Sequence, residues 1–345
     1  MKNIYKVFYL LPVVFLSSCM TSTYLKVMRP AQVTIAPHIK KVAIVNRTIP
    51  ENKVANVVEG FLTGEFPGQD KQNIQAAMGG LQENLRNSPR YEMIVTNEEL
   101  KGSGSGGSFP VPLQWTLVNE LSLKYQADAI LAIETYDSDF IVTKGSKNTK
   151  KVTEKGDTIL VPEYYAEGVA TVKIGYRLYD AKQKTITDQY HLNRNNRWYA
   201  KGNSIQDAVV QLIDSKAAIQ KVSHMTGLAY GARISPTWYT VEREFYKKSK
   251  KDANFGIGSR RARVNDWEGA ADYWLKATQS PNAKVAGKAA FNLALAYEVL
   301  GDLENAKTWV NRSYTDFGNK KARRYASVLD QRQWEAQKLA QQLQN

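Results

Sequence analysis

The chain has 345 residues, of which 43% are hydrophobic and 23% charged, so it is long enough for two folded domains and does not have the composition of a disordered chain. Its formal net charge of +14 favours an anionic partner, either nucleic acid, a membrane surface or an acidic polymer. With a single cysteine, no disulfide can form within the chain, so stability must come from packing.

The N-terminal residues have the pattern of an export signal. Lys2 and Lys6 precede an apolar run from Val7 to Leu16, and Leu16-Ser17-Ser18-Cys19 closes it. The run is too short to span a bilayer as a helix, which takes about 20 apolar residues. An ordinary secretory signal and a buried strand with a core cysteine are the alternatives.

Leu16-Ser17-Ser18-Cys19 resembles the cleavage box of bacterial lipoproteins. The resemblance implies that residues 1–18 are a signal peptide and that Cys19 is acylated, with fatty acids such as palmitate, as the mature N-terminus. Residues 19–37 would then be a lipidated tether. No acid directly follows Cys19, which by the same resemblance implies the outer membrane, facing the periplasm. Nucleic acid is excluded as a partner by that address.

From residue 38 onward, strands alternate with helices. Lys41 to Asn46 and Tyr91 to Thr96 each predict a strand, the first buried on both faces. Trp115 to Tyr125 predicts a helix, and Ala127 to Glu134 predicts a third strand. Another helix, between the first two strands, is predicted by apolar residues at helical spacing: Ile74, Met78, Leu81 and Leu85. This order favours a mixed α/β layer.

A glycine-rich stretch at residues 102–107 satisfies the G-x-G-x-x-G spacing of a dinucleotide-binding turn. Such a turn needs a strand before it and a helix N-terminus after it, because backbone N–H groups must face the pyrophosphate. Here Asn97 to Lys101 separate it from the strand, and Phe109-Pro110-Val111-Pro112 follows. We therefore expect a flexible loop and no bound cofactor.

Antiparallel strands are predicted after the third strand. Residues 140–162 contain five lysines among small polar residues and predict a long solvated hairpin, or else a contact for an anionic surface: Lys144, Lys147, Lys150, Lys151 and Lys155. Alternation from Ala170 to Leu178 predicts a half-exposed strand, and residues 185–199 return as its partner. Ser204 and Asp207 then predict the capped start of a helix with a buried stripe of Ile205, Val209, Leu212 and Ile213.

This succession of elements resembles the periplasmic domain of curli-export-type lipoproteins over residues 38–245, and uncharacterised outer-membrane lipoproteins with a helical-repeat tail. The curli-export family implies an oligomeric secretion channel built from two long amphipathic hairpins. Lysines on both faces of the predicted hairpin depart from that pattern. Only the fold is therefore carried over, and a homo-oligomer is left open.

The C-terminal residues 246–345 contain an internal repeat with a 36-residue step. Phe255 recurs as Phe291, Asp266 as Asp302 and Glu268 as Glu304, with further pairs between them. The pattern resembles the tetratricopeptide repeat, whose usual period is 34 residues. It predicts an all-α domain of paired helices, with Gly301 ending one helix, Asp302 starting the next, and a final helix from Lys321 to Leu343. A plain helical bundle is the alternative.

The repeat resemblance also implies a binding surface. In that family ligands bind the first helix of each pair, which would expose five residues to a protein or envelope-polymer partner: Phe255, Ser259, Phe291, Leu295 and Glu298.

Catalytic and metal motifs are nearly absent from the sequence. His38, His191 and His224 lack the close spacing of zinc motifs. Glu134, Asp137 and Asp139 follow a strand, where an α/β active site can lie, but no calcium-loop pattern surrounds them. We expect no catalytic residue, metal or cofactor.

The sequence therefore predicts a non-enzymatic, lipid-anchored scaffold or accessory binding protein of the cell envelope. An export component like the curli-export lipoprotein is the alternative, and an envelope hydrolase using Glu134 or Asp137 is a third hypothesis.

Overall fold

The computed structural model describes residues 20–50, 69–86, 88–102, 108–249 and 252–343. Its contacts divide the chain into two compact units. The α/β unit consists of residues 28–238 with the C-terminal residues from 338 onward, and the helical unit contains residues 20–27 and 239–337. The predicted lipidation site, Cys19, lies outside the described residues.

Seven strands are described: β1 (Met20–Arg29), β2 (Lys41–Pro50), β3 (Glu92–Gly102), β4 (Ala129–Val152), β5 (Thr158–Asp180), β6 (Thr185–Gly202) and β7 (Thr237–Tyr246). The helices of the α/β unit are α1 (Gln69–Arg86), α2 (Trp115–Tyr125), α3 (Ile205–Val210) and α4 (Ser215–Ile234). Those that follow are α5 (Ala253–Arg263), α6 (Trp267–Ala277), α7 (Ala283–Leu300), α8 (Leu303–Thr315) and α9 (Lys320–Leu343). An N-terminal α/β domain followed by an all-helical region confirms the predicted fold class.

The sheet of the α/β unit has the strand order β3-β2-β4-β5-β6. Strand β2 runs parallel to both β3 and β4, whereas β4, β5 and β6 are antiparallel, so the sheet is mixed. Val42, Ala43, Ile44 and Val45 of β2 are all at most 1% exposed, because helices cover both faces of this central strand. One face packs on α1 and α4, and the other on α2.

Helices α1 and α4 pack with their backbones nearly in contact. A Cβ atom on Gly80 would lie 2.0 Å from the carbonyl oxygen of His224, and one on Gly227 would lie 1.9 Å from that of Ala77. Such an approach excludes any side chain at the crossing, so these two glycines set the distance between the helices. By contrast, a Cβ atom on Gly79 would meet nothing within 4 Å.

One helix was predicted after Ser204, but the structure has two, and the second of them, α4, was not predicted. Ser204 caps α3 as predicted, its Oγ accepting a hydrogen bond from the Asp207 N–H at 3.1 Å. However, α3 ends at Val210, and Asp214 caps a second, longer helix by accepting from the Ala217 N–H at 3.0 Å. Helix α4 has no clear apolar stripe, because its buried side includes small and polar residues such as Ser223, Thr226 and Gly227.

The lysine-rich segment is a regular hairpin of β4 and β5. Their pairing continues without interruption from Thr135 opposite Gly175 to Val152 opposite Thr158. Strand β2 accompanies β4 only as far as Ile133, and β6 accompanies β5 only as far as Tyr164. We call residues 138–172 the outer hairpin. From Asp139 to Val152, β4 therefore has a strand on one side only within the described sheet.

Residues 20–29, part of the predicted lipidated tether over residues 19–37, form β1. This strand pairs with β7 in a two-stranded sheet. Leu25 and Val27 are buried in the core of the helical unit, while Tyr24 is 68% exposed. The alternation of apolar and polar residues indicates a strand, but its partner lies more than 200 residues away in the sequence and could not be inferred locally.

The helical unit repeats one capping arrangement at the 36-residue step. Asp266 caps α6 by accepting from the Gly269 N–H, and Asp302 caps α8 by accepting from the Asn305 N–H, each at 3.0 Å. Gly301 ends α7 in the left-handed region, with a φ of 86°, as predicted. Helix α9 packs Ala322, Tyr325 and Leu329 into the same core.

The adjacent glycines of α1 provide a matched test of the helix crossing. We expect Gly80→Ala to lower the free energy of unfolding by about 1–3 kcal/mol, because the new methyl group overlaps the α4 backbone. Gly79→Ala should leave it unchanged or raise it by up to about 1 kcal/mol, because alanine favours a helix interior. Urea unfolding followed by circular dichroism measures both, and equal effects would contradict the crossing.

Candidate functional site

The five residues predicted to bind a partner are all buried, so the prediction that they are exposed is wrong. Phe255, Ser259 and Leu295 are at most 1% exposed, Glu298 is 5% exposed and Phe291 6%. Phe255 and Ser259 lie on α5, and the other three lie on α7. We call the surface formed by these five residues the repeat groove. Their role in binding a separate partner stays a prediction.

Strand β7 covers part of the repeat groove. The Asn292 side chain brackets the backbone of Tyr246, accepting from its N–H at 2.8 Å and donating to its carbonyl oxygen at 2.8 Å. Ser259 Oγ donates to the same carbonyl oxygen at 3.2 Å, and the Tyr246 ring meets Phe291 edge-on at 5.4 Å. The chain thus places its own strand where a separate protein or polymer partner was expected.

Glu298 is held by side chains from both β7 and α9. Arg243 on β7 donates two hydrogen bonds to its carboxylate, at 2.8 and 2.9 Å, in a bidentate pair. The Tyr325 hydroxyl on α9 donates to it at 2.6 Å, and Arg332 lies 3.6 Å away. Burial, followed by the negative charge of Glu298, raises the pKa of Tyr325 well above its usual value. The phenol therefore stays protonated and continues to donate to the carboxylate.

Arg243 and Asn292 are the functional residues that sequence reasoning missed in the repeat groove. An asparagine within an alanine-rich helix indicates a buried polar partner, because an unpaired amide is costly to bury. That partner is the backbone of Tyr246. Our predicted domain boundary between residues 245 and 246 placed almost all of β7 with the α/β domain, whereas its contacts place residues 239–246 in the helical unit.

Glu134, considered as a catalytic acid, lies at a β-bulge and is fully buried. The register between β4 and β5 shifts at this residue. One carboxylate oxygen accepts from Arg47 Nη1 at 2.8 Å, and the other accepts from the Tyr179 hydroxyl at 2.6 Å and from Arg177 Nη1 at 3.3 Å. We call these four residues the Glu134 cluster. Its hydrogen bonds join β2, β4 and β5, which is a structural role.

Arg177 extends the Glu134 cluster toward the edge of the sheet. Its guanidinium donates to the Pro110 carbonyl oxygen at 3.1 Å and to Gln189 at 2.9 Å. It also lies 4.8 Å from the centre of the Phe109 ring, which stacks on His191 at 4.1 Å. Partial burial, together with the charge of Arg177, lowers the pKa of His191, so the imidazole is kept neutral at physiological pH.

Gly102 ends β3 at the start of the glycine-rich stretch. A Cβ atom there would lie 2.1 Å from the carbonyl oxygen of Arg47, so glycine is required by the approach of β3 to β2. Residues 103–107 lie outside the described residues. The absence of a cofactor stays a prediction.

The remaining residues considered for chemistry are dispersed. Asp137 pairs with Lys173 at 3.5 Å, both about half exposed, and Asp139 is exposed. His38 lies 2.9 Å from Asp180, and His224 lies 3.0 Å from Glu83. Within the described residues, His, Cys, Asp and Glu form no group of three or more that could hold a metal ion. In the same part of the chain no helix is both long and apolar enough to cross a membrane.

Removing the carboxylate of Glu298 should strongly destabilise the helical unit. We expect Glu298→Ala to lower the free energy of unfolding by about 3–5 kcal/mol, because Arg243 would remain buried without its partner. Glu242→Ala, at an exposed position on the same strand, should change it by less than about 0.5 kcal/mol. Chemical denaturation of the three proteins measures this difference. A mild effect of Glu298→Ala would mean that β7 does not depend on this ion pair.

Tyr179 should make stability fall at alkaline pH. Burial, followed by the Glu134 carboxylate, raises its pKa to about 12, whereas an unfolded tyrosine has a pKa of about 10. The folded state keeps the proton longer, so this stabilisation of about 2–3 kcal/mol is present below pH 10 and is lost between about pH 10 and 12.

Tyr179→Phe should therefore show a shallower decline of unfolding free energy across that pH range. Tyr199→Phe, whose ring is 45% exposed, should decline as steeply as the unmodified protein. Denaturant midpoints taken from pH 9 to 12 are the readout, and identical slopes for the two variants would exclude the assignment.

The structure can now be compared with known proteins. Among solved structures, similar chains include a PelC dodecamer from Paraburkholderia phytofirmans, 10% identical with a TM-score of 0.26, which covers 62% of this chain and 98% of that one. A neuraminyllactose-binding hemagglutinin homolog from Helicobacter pylori is 11% identical with a TM-score of 0.25, covering 67% and 94%. A hypothetical protein from Chlamydia trachomatis is 13% identical with a TM-score of 0.24, covering 56% and 97%. At these TM-scores the likeness carries no argument about function.

No curated protein sequence matches the chain. Two family models do: residues 256–333 match a domain of unknown function, DUF6340, and residues 39–246 match another domain of unknown function, DUF8603. Because the second match spans more than half of the chain, this protein belongs to the DUF8603 family.

Proposed function

We propose that this protein is a lipid-anchored, non-enzymatic scaffold or accessory binding protein of the bacterial cell envelope. Cys19 would hold it in the outer membrane, facing the periplasm. The observation that carries the proposal is the outer hairpin, which offers a long contact surface, and we assign the partner to this element because the repeat groove is covered by β7 and α9.

The outer hairpin exposes apolar side chains on both of its faces. Val142 and Leu160 point to one face and Ile141 and Ile159 to the other, because paired residues in antiparallel strands share a face. They are between 43% and 66% exposed, as is Val152 near the turn at 66%. Val152 and Leu160, which lie on the same face two positions apart in the register, form an exposed apolar patch near the turn, and such patches are typical of protein contact sites.

The chemistry of the outer hairpin indicates the kind of partner. Near its turn, between residues 144 and 163, five lysines outnumber the three acids Glu154, Asp157 and Glu163, whereas Asp139 and Glu167 balance this charge closer to the base. The Lys147 and Lys201 ammonium groups already pair with Glu163. Within the described residues no strand lies beside β4 from Asp139 to Val152 on the side away from β5, and such an edge can add a strand by main-chain hydrogen bonds. The partner that fits is an envelope protein with an exposed, acidic strand edge.

The uses of the carboxylates support a non-enzymatic role. A general acid or nucleophile has to reach the substrate, but the Glu134 side chain is 0% exposed and both of its oxygens accept hydrogen bonds. Asp137 is on the surface beside Lys173, without the burial that tunes a catalytic acid. A hydrolase using either acid is therefore not favoured.

An oligomeric export component, the alternative function, is favoured by one observation. The edge of β4 from Asp139 to Val152, which has no neighbouring strand among the described residues, can pair with another copy of this chain as well as with a partner. Against it, Lys144 and Lys150 lie on one face of the outer hairpin and Lys147 and Lys151 lie on the other, so neither face is suited to contact lipid. The two functions differ in the identity of the contacting chain.

Site-specific photo-crosslinking in intact cells tests the proposal. A photoreactive residue at Leu160 should give one dominant crosslinked species containing a different envelope protein. The same residue at Val264, 73% exposed on the helical unit, serves as the control and should not give that species. Val152→Asp in the Leu160 background should reduce the crosslink by about tenfold, because Val152 shares a face with Leu160 and a charge there would enter the apolar contact.

Each other outcome has a definite meaning. A ladder of crosslinked copies of this chain would contradict the scaffold function and support the oligomeric export component instead. Equal products at Leu160 and Val264, or none at Leu160, would remove the outer hairpin as the contact site. Lipid anchoring is checked separately by the intact mass of the membrane-extracted protein, and a free Cys19 thiol or an uncleaved Met1 would contradict it.

A further inference from the structure

The chain leaves no free linker between the predicted lipid attachment point and the helical unit. Met20, the residue after Cys19, is only 7% exposed and belongs to the core of this unit. The Lys321 ammonium group lies 2.9 Å from its sulfur atom. Because consecutive Cα atoms are about 3.8 Å apart, acyl chains on Cys19 would emerge directly from the surface of the helical unit. The following inference rests on the proposed acylation.

Three segments of the helical unit meet close to this point. The Tyr246 hydroxyl, at the end of β7, donates to Asn319 at 3.1 Å, just before α9. Asn319 in turn donates to the carbonyl oxygen of Gly287 in α7 at 3.3 Å, and the Lys288 ammonium group lies 5.1 Å from the centre of the Tyr246 ring. Lys321 then links this region to Met20.

These segments carry positive charge and no acid. Residues 246–249, 283–288 and 317–325 contain eight cationic side chains and neither Asp nor Glu: Lys247, Lys248, Lys284, Lys288, Lys320, Lys321, Arg323 and Arg324. We call these eight residues the basic surface. All are exposed except Lys247 and Lys288, which are half-buried, and none forms an ion pair with an acid among the described residues.

The neighbouring antiparallel helices α6 and α8 begin with the opposite chemistry. Asp266 and Asp302 cap α6 and α8, with Glu268 and Glu304 in their first turns, where the helix dipole favours acids. The first turns of α7 and α9 contain no acid, and Lys284, Lys320 and Lys321 are there instead. Anions from outside the unit would relieve the repulsion among these cations.

We propose that the basic surface lies against anionic phospholipid headgroups of the membrane that holds Cys19. An anionic leaflet attracts each Lys or Arg that comes within about one Debye length of it, about 8–10 Å. Acyl chains that emerge beside Met20 bring the Lys321 ammonium group within that distance, and the other cations lie on the segments that meet there. The anchor and the basic surface together then fix the orientation of the helical unit on the bilayer.

Lysine labelling of the acylated full-length protein tests the orientation. The protein is extracted from membranes and reconstituted into vesicles of neutral phosphatidylcholine or of phosphatidylcholine with anionic phosphatidylglycerol. An amine-reactive reagent then labels accessible lysines, and mass spectrometry measures the extent of labelling at each one. We expect labelling of Lys284, Lys320 and Lys321 to fall about tenfold in the anionic vesicles. Lys307, on α8 near the opposite end of the unit, should be labelled equally in both.

A pair of charge-matched variants distinguishes an effect of the basic surface from an effect of the protein's net charge. Lys320→Glu with Arg324→Glu should abolish the protection of Lys284. Arg260→Glu with Arg263→Glu, on α5, makes the same change of charge and should preserve it. All four side chains are exposed, so both proteins should fold, which circular dichroism checks.

Equal labelling of Lys284 in neutral and anionic vesicles would overturn the proposal, as would loss of protection in both variants. Protection by a soluble acidic polysaccharide in detergent, without protection by anionic vesicles, would also overturn it and assign the basic surface to a polymer. Intact mass of the same samples reports the acyl chains at Cys19. A failed orientation is therefore distinguishable from a failed anchor.

Discussion

The helical unit depends on a strand that is bound by side chains. Asn292 satisfies both backbone groups of Tyr246, and the carboxylate of Glu298 pairs with Arg243 two turns further along α7. Buried polar groups of this kind are costly unless every partner is in place, so they specify one register for β7. Because β7 pairs with β1, the same contacts also determine where the first residues after Cys19 lie.

Polar clusters have a comparable role in the α/β unit. Glu134 interrupts the regular pairing of β4 with β5, and the bulge turns its carboxylate toward Arg47 and Arg177. Two cations around one buried acid compensate its charge and leave a guanidinium in contact with Phe109. Acids that follow a strand can suggest catalysis, but here the network of hydrogen bonds explains Glu134 as a part of the framework.

Sequence reasoning was most reliable where the periodicity was local. The apolar stripe of α1, the cap at Ser204 and the stop at Gly301 were all predicted, because each depends on residues within a few positions of one another. It failed for α4, whose buried face includes Ser223, Thr226 and Gly227 and therefore lacks an apolar stripe. It failed again for the repeat groove, since the exposure of Phe291 or Glu298 depends on a strand that the local pattern does not reveal.

The pairing of β1 with β7 makes the helical unit discontinuous in sequence, with nearly all of the α/β unit inserted between its two parts. If the chain is exported from its N-terminus, as the proposed lipid anchor requires, β1 reaches the periplasm long before β7. Bringing β1 and β7 together closes a loop of more than 200 residues, and the entropy lost is offset only once the contacts between them form. The strands of the α/β unit are close in sequence, so this unit can fold before β7 is available to complete the helical unit. Until then β1 would need protection from aggregation.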